Sequence, residues 1–88
     1  MDGYKLVFKK SVAKDLRVLP KQDIARILQK FDELQTNPRP AGCEKLSGQE
    51  RYRVRQGVYR IIYEIADKTL TVCVVKVGHR REVYREKS

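Results

Sequence analysis

Residues 51–65 read RYRVRQGVYRIIYEI. The first six, RYRVRQ, alternate strictly between basic or polar and apolar types. Residues 58–65, VYRIIYEI, are nearly all β-forming types. Between them Gln56-Gly57 is a tight turn, because glycine adopts the positive φ that short hairpins require. The stretch predicts a β-hairpin. Side chains alternate across a strand, so Arg51, Arg53 and Arg55 share one face, and Tyr52 and Val54 share the other. In the second strand Tyr59, Ile61, Tyr63 and Ile65 point one way. Val58, Arg60, Ile62 and Glu64 point the other.

Downstream, Ala66-Asp67-Lys68 is a second turn, and LTVCVVKV (70–77) is the continuous apolar run of a central strand. Gly78 is expected to let the chain leave that strand sharply. Upstream, NPRPAGCEKLSGQE (37–50) reads as loop, with Leu46 anchoring it in the core. Before it, Ile24, Ile27, Leu28, Phe31 and Leu34 form one apolar helical stripe, opened near Pro20 and stopped by Asn37-Pro38. A shorter helix precedes it, with Ser11 as N-cap and Val12, Leu16 and Leu19 at helical spacing. Residues 4–8, YKLVF, open the chain as a strand. The expected fold is α+β and a single domain, 1–88. Its order is β-α-α-β-β-β: an N-terminal strand, an antiparallel meander, and a helical hairpin packed on one face.

The 88 residues carry a net charge of +9. Residues 1–50 hold ten Lys and Arg against seven Asp and Glu, a net of +3; residues 51–88 hold ten against four, a net of +6. Seven of the last ten cations are arginine, which makes forked contacts with phosphate that lysine cannot. A polyanionic partner suits this balance. Cys43 and Cys73 are expected as reduced thiols, and with one His and two separated Cys no metal-ligand spacing is visible. No apolar run is long enough to span a membrane, and the opening MDGYKLVFKK lacks a secretory apolar stretch, so a cytoplasmic location is expected.

Arg60 interrupts an otherwise apolar strand, and a charge among buried neighbours is costly unless it is paired. One reading is an ion pair with Glu64 or an Asp; the other is a guanidinium held rigidly and aimed at a phosphate. The tail after Gly78 adds His79, Arg80, Arg81, Tyr84 and Arg85. If it folds back over the sheet, Tyr84 meets Arg53, Arg55, Arg60 and Arg80. A nest of guanidinium groups favours the phenolate, which makes Tyr84 a candidate general base, while the arginines stabilise a phosphorane. RNA supplies its own nucleophile in the 2′-OH, so neither metal nor cofactor is required. Arg51, Lys76, His79, Arg81 and Arg85 are candidate RNA or ribosome contacts around that set.

These residues carry a resemblance. The element order, KLSG (45–48), YRVRQGVYRIIYEI (52–65) and VGHRREVYR (77–85) together resemble the RelE/ParE superfamily of bacterial toxins from toxin–antitoxin pairs. Its RelE branch comprises mRNA interferases that cut messenger RNA in the ribosomal A site. The resemblance implies that Arg53 and Arg55 stand where RelE proteins usually carry lysine. It also implies that Arg60, Arg80 and Tyr84 orient the phosphate, stabilise the transition state and handle the protons. Arginine at 53 and 55 stays protonated, which leaves His79 as a further candidate for proton transfer. The resemblance further implies a cognate antitoxin, the ribosome and mRNA as partners, in a hetero-oligomeric toxin–antitoxin complex. Two other functions fit the same surface: a ParE-like inhibitor of DNA gyrase without nuclease activity, and a basic RNA- or ribosome-binding module without chemistry.

Overall fold

The computed structural model describes residues 3–46 and 50–79. The elements are β1 (Lys5–Phe8), α1 (Lys10–Arg17), α2 (Lys21–Thr36), β2 (Glu44–Leu46), β3 (Arg51–Gln56), β4 (Tyr59–Ala66), a 3-10 turn (Asp67–Thr69) and β5 (Thr71–His79). They form one five-stranded sheet in the order β1-β5-β4-β3-β2. The expected α+β architecture is present, with three differences. β1 runs parallel to β5, so the sheet is mixed rather than antiparallel throughout. Glu44–Leu46, expected as loop, forms β2 against β3. Leu46 stands opposite Arg51 in that pairing and is half-buried on the arginine side, not an anchor in the core.

The expected hairpin is present, with its loop one residue later than Gln56-Gly57 and Val58 in the loop rather than the strand. Gln56 pairs with Tyr59, which leaves Gly57-Val58 as a two-residue loop, and Gly57 has φ +64°. A glycine at the first loop position is the type II′ solution, whose twist matches that of the strands. Val54, Ile61, Tyr63, Ile65, Val72, Val74 and Val77 are buried on one face of the sheet with Tyr52. Val12 of α1 and Ile27, Phe31 and Leu34 of α2 close over them. The buried line of α2 is thus i, i+4, i+7. Leu28, one residue and about 100° around from Ile27, is turned outward and 46% exposed, contrary to the five-residue stripe.

Ser11 does not cap α1. Its N-cap is Lys9, in extended conformation, with no side-chain cap bond. The cause lies in the sheet: the Lys9 N–H donates to the Val74 carbonyl at 3.0 Å, and this holds the chain in strand geometry one residue past β1.

A bulge in β5 sets the face of everything beyond it. Tyr63 pairs with Val74 but Ile62 pairs with Lys76, so Val75 is an extra residue on that strand. The insertion switches the alternation. Val72, Val74 and Val77 all reach the core, while Lys76 and Gly78 are carried to the opposite face. Gly78 therefore does not end the strand. It lies within β5, directly opposite Arg60. Beyond Val74 the outer edge of β5 has no strand partner among the described residues, and the Asp15 carboxylate of α1 accepts the Val77 N–H there at 3.1 Å.

The connection 37–43 is tied across one end of the sheet. The buried Tyr63 hydroxyl donates to the Pro38 carbonyl at 2.7 Å. Burial, with Cys43 close by, pushes this phenol well above its ordinary pKa. Arg39 grips Asp67 through both terminal nitrogens at 3.3 and 2.9 Å and lies over the Tyr52 ring. Those hydrogen bonds hold the Asp67 carboxyl below the usual range. Both cysteines are free thiols.

Candidate functional site

The face away from the helices is read across the register. Arg55 stands opposite Arg60, and Arg60 opposite Gly78. In the next row on that face Arg53, Ile62 and Lys76 align, and in the row after it Arg51, Glu64 and Cys73. Four arginines and one lysine thus share this surface, with Ile62 at its middle. The structure brings Arg51, Arg53, Arg55, Arg60 and Lys76 together on one face, and Lys76 reaches it through the bulge.

Arg60 is the most enclosed of these cations. It is 3% exposed, the one buried charged residue among the described residues. It sits on β4, flanked by paired strands on both sides. Gly78 across the ladder has no side chain to fill the space beside it. Arginine stays protonated at any physiological pH, so this guanidinium remains a fixed positive charge in a poorly hydrated position. A fixed charge of that kind acts on an approaching anion more strongly than one in open water.

The surrounding arginines are not a bare cationic strip. Arg51 bonds Glu64 directly across the ladder, its Nε at 3.1 Å, so Glu64 is engaged by Arg51. Arg53 forms an ion pair with Glu44 of β2. Glu44 sits in register opposite Arg53. The Arg53 hydrogen bond and charge hold the Glu44 carboxyl below its ordinary pKa, and the charges of Arg55 and Arg60 act in the same direction. Lys76 lies 3.7 Å from Asp15. Arg55 is exposed at the end of its strand. These carboxylates answer the repulsion that three aligned arginines would otherwise suffer.

His79 is placed elsewhere. It pairs with Tyr59, and its ring meets the Tyr59 ring edge-on with centroids 6.2 Å apart. Tyr59 belongs to the helix side, where its hydroxyl donates to Asp23 at 2.8 Å. The bulge at Val75 is the reason: with Gly78 on the arginine face, alternation turns His79 away from it. The expectation that grouped His79 with the arginines is corrected on this point. Arg80, Arg81, Tyr84 and Arg85 lie outside the described residues. Among the described residues no group of three or more His, Cys, Asp or Glu is arranged to hold a metal ion, and no helix is long and apolar enough to cross a membrane.

Glu44 and Gly78 were missed as site residues by sequence reasoning. Glu44 lay in a stretch whose Pro, Gly and Ser spoke for loop, and a lone Glu there carries no signal. Gly78 was visible, but as a breaker rather than as the vacant position beside a buried side chain.

Comparison with known proteins agrees with this geometry. The family model described as the ParE toxin of type II toxin–antitoxin system, parDE, matches residues 6–84. The toxin RelG of Mycobacterium tuberculosis is 31% identical over 86 residues, covering 93% of this chain and 97% of that protein. The archaeal RelE–RelB complex from Pyrococcus horikoshii superposes with a TM-score of 0.81 at 33% identity, over 89% of this chain and 96% of that one. The isolated E. coli RelE toxin gives 0.75 at 31% identity, over 94% and 93%. The sheet and its helical cover are therefore those of a small RelE-like toxin. The chain belongs to the ParE toxin family of type II toxin–antitoxin systems.

Proposed function

We propose that this toxin is an endoribonuclease that cuts mRNA in the ribosomal A site and so inhibits translation. The observation that carries the reading is Arg60, a buried, permanently charged side chain on an arginine face, with a glycine opposite it. Burying a charge is costly unless it is paired, and a phosphodiester seated on the face supplies an anionic partner for it. In the reaction the ribose 2′-oxygen attacks the adjacent phosphorus and the P–O5′ bond breaks, leaving a 2′,3′-cyclic phosphate and a 5′-hydroxyl. Arg53, Arg55 and Arg60 stabilise the charge that builds on the non-bridging oxygens. Tyr84 takes the 2′-OH proton, and Arg80 completes the cationic set. The 5′-oxygen acquires a proton as it leaves. The chemistry uses the substrate's own nucleophile and runs without a metal. A cytoplasmic location follows from the substrate.

An antitoxin is the expected regulator, since similar toxins are solved as RelE–RelB complexes. An acidic, amphipathic segment complements the charge of +9.

One observation favours a second reading. The matching family model is that of ParE toxins, and Arg51 and Arg53 are engaged by carboxylates within the sheet. The same face would then be a docking surface for DNA gyrase. Primer extension on mRNA from programmed bacterial ribosomes separates the two, with Tyr84→Phe and ribosome-free RNA alongside. Cuts that require the ribosome and Tyr84 support the nuclease. Intact mRNA with inhibited DNA supercoiling supports the gyrase inhibitor.

A further inference from the structure

We infer that Glu44 is an internal stand-in for the substrate phosphate: its carboxylate occupies a guanidinium-lined position on the arginine face that RNA must take over. The inference rests on the reading of that face as a phosphodiester site. Its geometry is local. β2 is three residues long and lies at the sheet edge, and its pairing sets Glu44 directly opposite Arg53. The two side chains form an ion pair in which the Arg53 side chain is 20% exposed and that of Glu44 is 57% exposed. The cation is thus part of the sheet surface, while the anion lies over it from the solvent side. Arg55 and Arg60 also act on the same carboxylate, as the lowered Glu44 pKa records. An oxyanion paired with one guanidinium and within the field of two more occupies a place that also suits a phosphate. The carboxylate fills it from a short edge strand, so it can be displaced without disturbing the core.

Two consequences follow. In the free toxin Glu44 holds the Arg53 guanidinium in place on the sheet, so little ordering of that group is required when RNA arrives. It also competes with RNA, so the face binds stray polyanions less tightly than its arginine content implies. A substrate that presents its phosphate in the right place, as ribosome-held mRNA does, displaces the carboxylate; a weakly held one does not.

The test is direct binding of a 2′-O-methylated single-stranded oligoribonucleotide, which cannot be cut by 2′-OH attack, across a range of salt. Glu44→Gln is compared with the parent and with Glu33→Gln. Glu33 carries the same charge on α2, also in an exposed ion pair, with Lys30 at 3.0 Å. Glu44→Gln is expected to bind about five- to tenfold tighter than Glu33→Gln, with a salt slope steeper by about 0.7, as for one more phosphate contact on a single strand. In an Arg53→Ala background the gain from Glu44→Gln should largely vanish. Equal affinity and slope for the two glutamine variants would overturn the inference while leaving the arginine face intact. If Arg53→Ala and Arg60→Ala bind as the parent does, the reading of the face fails, and the inference with it.

Discussion

Arg53 and Val54 are neighbours on β3, and the bond between them divides the molecule. Val54 is 3% exposed and stands opposite Ile61, in a layer closed by Ile27, Phe31 and Leu34. Arg53 faces the other way, opposite Ile62 and beside Glu44. On the helix side the central side chains are apolar and enclosed, and each contributes by leaving water. On the open side, cations are gathered at some cost and balanced by Glu44, Glu64 and Asp15. The contrast teaches that stability and function are divided by the pleat: one face maintains the fold, and the fold maintains the other face. Arg60 is the exception that joins them, since it is as buried as the core yet belongs to the arginine side.

The division can be broken most severely from the helix side. Phe31, 1% exposed, meets the Phe8 ring at 5.3 Å. Phe31→Ala should cost about 3–5 kcal/mol in urea unfolding, a large share of a total near 5–15 kcal/mol for a domain of this kind. Tyr63→Phe is a smaller test at the same core. It strips the Pro38 carbonyl of its donor in a buried place and should cost about 1–3 kcal/mol by the same measurement. On the open face the expected effect shrinks. Glu64→Gln releases Arg51 from a half-exposed pair and should change stability by less than about 1 kcal/mol. A cost as large as that of Tyr63→Phe would mean that the arginine face also holds the fold.

The smallest effect is on pH. The folded-state pKa of Asp67 is lowered, first by its hydrogen bond from Arg39 and then by that from Tyr4. A lowered carboxyl binds fewer protons folded than unfolded, so its contribution is present above the unfolded value of ~4 and is lost as pH falls through the folded value. Asp67→Asn should therefore flatten the acid limb of a thermal-unfolding profile and leave the neutral region nearly parallel to the parent.

The sequence showed the faces because strand alternation has a period of two and RYRVR (51–55) keeps it without error. It showed α2 for the same kind of reason, although the stripe was read one residue too wide at Leu28. What it hid depends on pairing. β2 has three residues, too few to display a period, and exists because β3 offers it an edge. The parallel placement of β1 depends on where the helices return the chain. The ion pairs of Arg51 and Arg53 depend on register, which no single strand reveals. The doubled valine at 74–75 was the visible trace of the bulge, and with it the position of Gly78 and the turning away of His79.

The central claim is that Arg60 serves the reaction and not the fold, and Arg60→Met tests it most directly. Thermal stability and ribosome-dependent mRNA cleavage would be measured on the same preparation. The variant should stay folded under the assay conditions, because an apolar side chain of similar length keeps the packing beside Gly78. Its cleavage should fall by about 10²-fold or more. A variant that cuts like the parent, or that loses cleavage only because it unfolds, would contradict the account.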